Sequence, residues 1–236
     1  MRMRPAKTSA QNRRDRFGEI DTGPMHKTHQ TERLGAFSDG VFAVIITIMV
    51  LDLKPPDEPT FAALGPLWPT ALSYAVSYLF IAIVWVNHHH LLRLAVQATP
   101  RLIWWNFAHL FMVSLVPFST AWIARARMAS APVFVYAAIF VLVNIAYRAF
   151  QHEVLAQAPP RAISSRARSL SRVRSLLTLV MFLLAMLISL RFPLWGFGLV
   201  CCVLFAYLRP EISGLNQKLG YPKLGFRVPA RSPYSR

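Results

Sequence analysis

The sequence predicts an all-α integral membrane bundle of six transmembrane helices, and three observations predict it. Apolar residues make up 55% of the 236 positions and charged residues only 15%, a separation that a soluble domain of this size rarely shows. The apolar residues gather in runs near 33–53, 68–94, 101–123, 131–151, 174–191 and 193–208. At about 1.5 Å per helical residue, most of these runs can cross a hydrocarbon core of about 30 Å. Trp68, Trp104, Trp105, Trp122 and Trp195 stand near the ends of the runs, as interfacial belts do.

The breakers between runs set the elements. The first run, from Arg33 to Leu53, stops at Lys54-Pro-Pro-Asp-Glu-Pro59. The second and third part at Ala98-Thr-Pro-Arg101, the third and fourth between Arg125 and Pro132, and the fourth and fifth at Ala158-Pro-Pro-Arg-Ala-Ile-Ser-Ser-Arg166. Proline and glycine-poor polar clusters of this kind end helices because proline lacks an N–H and restricts its predecessor. The last two runs are short, joined only by Arg191-Phe192-Pro193, and read as one tight hairpin. Residues 1–30 are basic and polar, without the apolar stretch of a secretory signal, and read as a disordered arm. Residues 31–208 form the membrane domain and 209–236 a basic tail. Cys201 and Cys202, adjacent within an apolar run, read as helix packing.

Charge placement orients the bundle. The net charge of +16 would suggest nucleic acid in a soluble protein, but here the basic residues flank membrane spans, so orientation and anionic lipid account for it. Eight Lys and Arg lie in the chain through Arg33, two in the 2–3 connection, five in the 4–5 connection (Arg161, Arg166, Arg168, Arg172, Arg174) and six after 208, 21 in all. The other side holds Lys54, Arg125, Arg127 and Arg191. Both termini are therefore expected in the cytoplasm of a multi-pass plasma-membrane protein, with Asp52, Asp57 and Glu58 at the outer mouth of the first helix.

The first helix is the functional candidate because Ser38 and Asp39 lie within its first turns and Arg33 at its mouth. An ionisable residue inside a span is costly unless protein shields it or it faces a water path. At about 100° per residue, Phe37, Val44, Ile48 and Leu51 share a stripe, with Thr47 on its flank and Asp39 off it. On periodicity alone such a stripe is ordinary packing surface; the carboxylate and serine weigh against that. Arg33 and Asp39 lie roughly 9 Å apart along the axis and point in different directions, so each needs a partner from elsewhere. By depth, Asn87, His88, His89, His90 and Asn106 share the inner third of the membrane with Arg33, Ser38 and Asp39, and buried polar groups demand such partners. Consecutive histidines on a helix diverge by about 100°, so the triplet is not read as a metal site; a hydrogen-bonded role, with pH sensing open to one of them, fits better.

Arg33-x3-Phe37-Ser38-Asp39-Gly40 with its Val-Phe-Ala-Val-Ile-Ile-Thr-Ile-Met-Val-Leu-Asp continuation, Trp85-x2-His88-His89, and Asn106 through Val116-Pro117-Phe118 resemble the transmembrane protein 175 family, over about residues 33–122. Its members include potassium channels of bacteria, archaea and animal endolysosomes. The resemblance implies a six-span subunit, one repeat per chain, assembling as a homotetramer with four first helices around the pore. It implies an apolar constriction at Val44, Ile48 and Leu51 and a hydroxyl layer at Thr47. Phe37, Ser38 and Asp39 would hold the inner half of the pore helix, partnered by Arg33 and a belt from His88 and His89 to Asn106. The narrowest position, typically Ile or Leu in the family, is the smaller Val44 here, which implies a wider constriction. No Thr-Val-Gly-Tyr-Gly filter occurs, so selectivity would rest on Thr47 hydroxyls and an apolar ring. The expectation is a potassium-preferring channel, not an enzyme, without a cofactor beyond the permeant ion. The rival readings are an ion- or proton-coupled transporter using Asp39 and the histidines as a relay, and a non-conducting scaffold sharing the fold.

Overall fold

The computed structural model describes residues 24–157 and 165–207. The arm through residue 23, Arg161 and its neighbours in the 158–164 connection, and the tail from 208 lie outside the described residues. Among the described residues, seven α-helices follow in order: α1 (Pro24–Val50), α2 (Trp68–Leu92), α3 (Pro100–Ser114), α4 (Val116–Arg125), α5 (Ser130–Gln157), α6 (Ser165–Ser189) and α7 (Pro193–Tyr207). A short 3-10 helix, Phe61–Leu67, leads into α2. With α3 and α4 taken as one broken rod, the described chain is an all-helical bundle of six segments.

Proline places most of the starts. Pro24, Pro100 and Pro193 open α1, α3 and α7, and Pro69 and Pro117 sit at the second positions of α2 and α4. The first turn leaves N–H groups unpaired in any case, so a residue without one loses nothing there. At α3 the Thr99 hydroxyl also caps the helix, accepting from the Leu102 N–H at 3.3 Å. Inside the third span the same residue type breaks the ladder: Pro117 cannot donate to Val113, and the chain passes through Leu115 into α4. α1 begins nine residues before Arg33, because the polar stretch from Pro24 continues the helix beyond its apolar part, and it ends at Val50, leaving Leu51 in the closing turn. Arg166, Arg168, Arg172 and Arg174, read from sequence as connection, fall within α6.

Four segments are long and apolar enough to cross a membrane: Gln30–Val50, Phe61–Leu92, Pro100–Arg125 and Ser130–Gln157. The apolar stretches Val173–Ser189 and Pro193–Tyr207 are shorter. α5 is central, packing on α3, α4, α6 and α7, whereas α1 lies at the edge against α2, α3 and α4. The core is aromatic: Phe80 stacks on Phe140, and Tyr136, Phe182 and Phe197 close around them. Ser77 ties three helices inside this core, its hydroxyl 2.7 Å from that of Thr120 and 2.9 Å from that of Tyr136. Ion pairs mark the two ends of the bundle. Asp52 meets Arg125 at 3.9 Å at one end, and Arg101 meets Glu153 at 3.0 Å at the other.

Candidate functional site

One face of α1 is buried and the opposite face is bare. Leu34, Ser38, Phe42, Ile45 and Met49 pack into the subunit, at a spacing of three and four residues that keeps them on one side of a helix. The sequence-derived stripe lies on the other side: Phe37, Val44 and Ile48 are about half exposed and Leu51 is 74% exposed. Thr47 is exposed within that same surface, well inside it and not merely on its flank. Its hydroxyl donates to the Val44 carbonyl at 2.9 Å, which leaves the oxygen lone pairs able to accept. Of the four long spans α1 is the one least covered by the rest of the subunit.

The polar belt is a short hydrogen-bonded chain. Ser38 donates to the Leu34 carbonyl one turn back, at 2.9 Å, and accepts from Asn106 Nδ2 at 3.0 Å. His88 Nε2 lies 2.6 Å from Asn106 Oδ1, so α1, α2 and α3 are joined through one fully buried amide. The His88 ring is held flat by stacking on Phe150, with centroids 5.2 Å apart, and lies parallel to His109 at 5.8 Å. Phe42 closes its other side at 5.5 Å. The chain is wholly enclosed, so it fixes where α1 sits.

Asp39 takes a different partner from the one its depth suggested. It lies at the edge of the buried face and accepts from Trp85 Nε1 at 2.8 Å. Trp85 in turn packs against the His89 ring, 5.6 Å away, so His89 supports the tryptophan and does not join the Ser38–Asn106–His88 chain. Arg33 is exposed at the start of the bare face. Phe37 leans edge-on against Phe107 of α3 at 5.4 Å. Of the acidic residues beyond α1, Asp52 is drawn to Arg125, and Asp57 and Glu58 are exposed. Among the described residues no three His, Cys, Asp or Glu side chains gather as a metal-ligand set would.

Sequence reasoning missed the Trp85 donor to Asp39 and the Ser77–Thr120–Tyr136 knot. Trp85 carried a signal, an indole N–H at the depth of a carboxylate that needs a partner. The knot carried only small hydroxyls near mid-span, which any packed membrane helix can hold.

Comparison with known proteins places this geometry. Residues 33–117 match the family model described as the endosomal/lysosomal potassium channel TMEM175. A potassium channel of Chryseobacterium sp. (strain P1-3) is 33% identical over 76% of this chain and 93% of its own length. A potassium channel of Chamaesiphon minutus is 36% identical over 54% of this chain and 68% of its own length. The crystal structure of a lysosomal potassium-selective channel TMEM175 homolog from Chamaesiphon minutus superimposes with a TM-score of 0.65, covering 76% of this chain and 96% of that one at 28% identity. The matched segment holds α1 from Arg33 onward, α2, α3 and the start of α4, the elements that carry the bare stripe and the Ser38–Asn106–His88 chain. The protein belongs to the TMEM175 family.

Proposed function

We propose that the protein is a subunit of a potassium channel, conducting passively through a homotetrameric pore lined by four copies of α1. The observation that carries this reading is the bare face of α1, with an apolar row from Phe37 to Leu51 and a hydroxyl, Thr47, in its middle. Around an axis four Thr47 oxygens, each giving its proton to its own Val44 carbonyl, offer weak neutral ligands to an ion shedding water. The relatives named above as potassium channels support the choice of ion. In this reading α6 and α7 also cross the membrane, making six spans per subunit. Both termini lie in the cytoplasm and the channel sits in the cell membrane. Val44, Ile48 and Leu51 form the constriction, Val44 making a wider ring than a larger aliphatic would. Asp57 and Glu58 raise the local cation concentration at the outer mouth.

Reversal potentials and unitary currents of the purified protein in planar bilayers, under opposed potassium and sodium gradients, test it. Thr47→Val keeps the shape and removes the oxygens, so the potassium over sodium preference should fall with conduction retained. Val44→Ala should raise unitary conductance by widening an apolar ring that excludes water. If neither variant changes either quantity, α1 does not line the path and the reading fails.

A further inference from the structure

The hydrogen-bonded chain from Ser38 through Asn106 to His88 joins α1, α2 and α3, and beyond it a second group of buried polar atoms gathers around His109. His109 is fully buried, and neither of its ring nitrogens closes a hydrogen bond. The Val143 carbonyl comes near the ring without the geometry of one. Asn144 Oδ1 on α5 and Ser175 Oγ on α6 are likewise buried without partners. These groups come from three helices, yet all three residues line one cavity, which Thr178, Tyr147 and Phe182 help to wall. A buried polar atom left without a partner costs about 1–3 kcal/mol, so four such atoms on residues lining one half-open pocket call for partners within it.

The space and the donor set say what the occupant is. The cavity leaves about 50 Å³ for the centres of water molecules, and a single water needs about 10–15 Å³ of such space. That is far below the roughly 300 Å³ of an organic-ligand pocket. The lining has no carboxylate or thiolate to attract a metal ion. A neutral imidazole needs one acceptor and one donor, the Asn144 oxygen needs a donor, and the Ser175 hydroxyl takes either. Thr178 gives its own proton to the Arg174 carbonyl at 3.0 Å and keeps its lone pairs for a further donor. Only a molecule that both donates and accepts satisfies all of them at this size.

We propose that this cavity is a hydration site, holding a cluster of about three ordered waters that joins His109 of α3 to Asn144 of α5 and Ser175 of α6. The site lies across His109 from His88 and α1, so it is separate from the surface read above as the pore and does not depend on that reading. Its consequence is mechanical. The waters give α6 a pliable polar tie to α3 and α5 where a dry, interlocked contact would be stiff.

Radiolytic hydroxyl-radical labelling of the full-length protein in detergent, with peptide mass spectrometry, tests the proposal. Radicals made from ordered waters modify the side chains those waters touch. Phe182 lines the cavity, Phe42 packs into the core from the buried face of α1, and both are only 1% exposed. Phe182 should be labelled several-fold faster than Phe42, and equal, background-level labelling of the two overturns the proposal without any variant being made. Asn144→Leu combined with Ser175→Ala fills and de-anchors the site, and should bring Phe182 down to the Phe42 rate. The single change Ser175→Ala, which removes only one oxygen, should lower the Phe182 rate even if the double variant does not fold. Undiminished Phe182 labelling in a folded variant would mean that these residues do not hold the water, and the proposal would fall.

Discussion

Asn106 is the residue on which the position of α1 turns. Its amide serves Ser38 and His88 at once, and both are buried, so no solvent replaces it. Asn106→Leu has similar volume but leaves the His88 nitrogen and the Ser38 oxygen facing an aliphatic chain, at a cost of about 1–3 kcal/mol for each group stranded. Trp85→Phe removes only the indole N–H given to Asp39, a carboxylate at the edge of the buried face that keeps access to other donors. Its cost should be nearer 1 kcal/mol. Thermal melts in detergent should therefore show a clearly larger drop for Asn106→Leu than for Trp85→Phe; the reverse order would make Asp39, not Asn106, the anchor. These residues also mark what was legible in the chain. Depth could be read, because helical rise and alternating direction put Ser38, His88 and Asn106 at one level. Azimuth could not, because the rotation of each helix about its axis is settled by packing against neighbours. Hence Asp39 found Trp85, and Arg33 stands exposed on the bare face away from the belt it shares a level with.

Among the elements, the α6–α7 hairpin is held by an absence. A Cβ at Gly196 would stand 2.7 Å from both the Ala185 carbonyl oxygen and the Ser189 Cβ, so only glycine lets the two helices come this close. Gly198, two residues on and about 200° around the same helix, has open space where its Cβ would be. Gly196→Ala should separate α6 from α7 and lower the melting temperature by several degrees, a loss of about 1–3 kcal/mol from overpacking. Gly198→Ala should leave it unchanged or raise it, through better helix propensity. Equal effects of the two would show that the contact at Gly196 yields readily. Nothing in the sequence distinguished these two glycines, since which of them faces α6 depends on the short turn at Arg191-Phe192-Pro193. The element boundaries were more legible where proline sets them, as at Pro100 and Pro193. They were less so at Pro24, where a polar helix runs on past the membrane run that periodicity picks out.

At the scale of the whole molecule, the ion pairs already fix which helix ends share a side. Asp52 with Arg125 groups the end of α1 with the end of α4, and Arg101 with Glu153 groups the start of α3 with the end of α5. On the orientation proposed above from the basic bias, the second group faces the cytoplasm. A cysteine in place of Asp57, in a background without Cys201 and Cys202, should react with an impermeant thiol reagent from outside intact cells; reaction from the cytoplasmic side alone would invert the bundle.

The assembly is the remaining step, and the bare face of α1 decides between two outcomes. Four subunits around an axis would bring the Val44 side chains of neighbouring and opposite copies within reach of one another, because a cyclic interface repeats the same surface at each turn. A face turned to lipid would instead keep every Val44 apart. Leu190, 57% exposed at the end of α6, offers the contrast, since α6 packs on α5 and α7 on the side of the subunit away from α1. In the cysteine-free background, Val44→Cys should form dimers under mild oxidation and Leu190→Cys should not, and native mass spectrometry should give a four-subunit mass. Cross-linking at Leu190 with none at Val44 would place α1 on the outside of the assembly. The stripe would then be a lipid-facing surface, Thr47 would have no ion to meet, and the permeation path would have to be sought among the other helices.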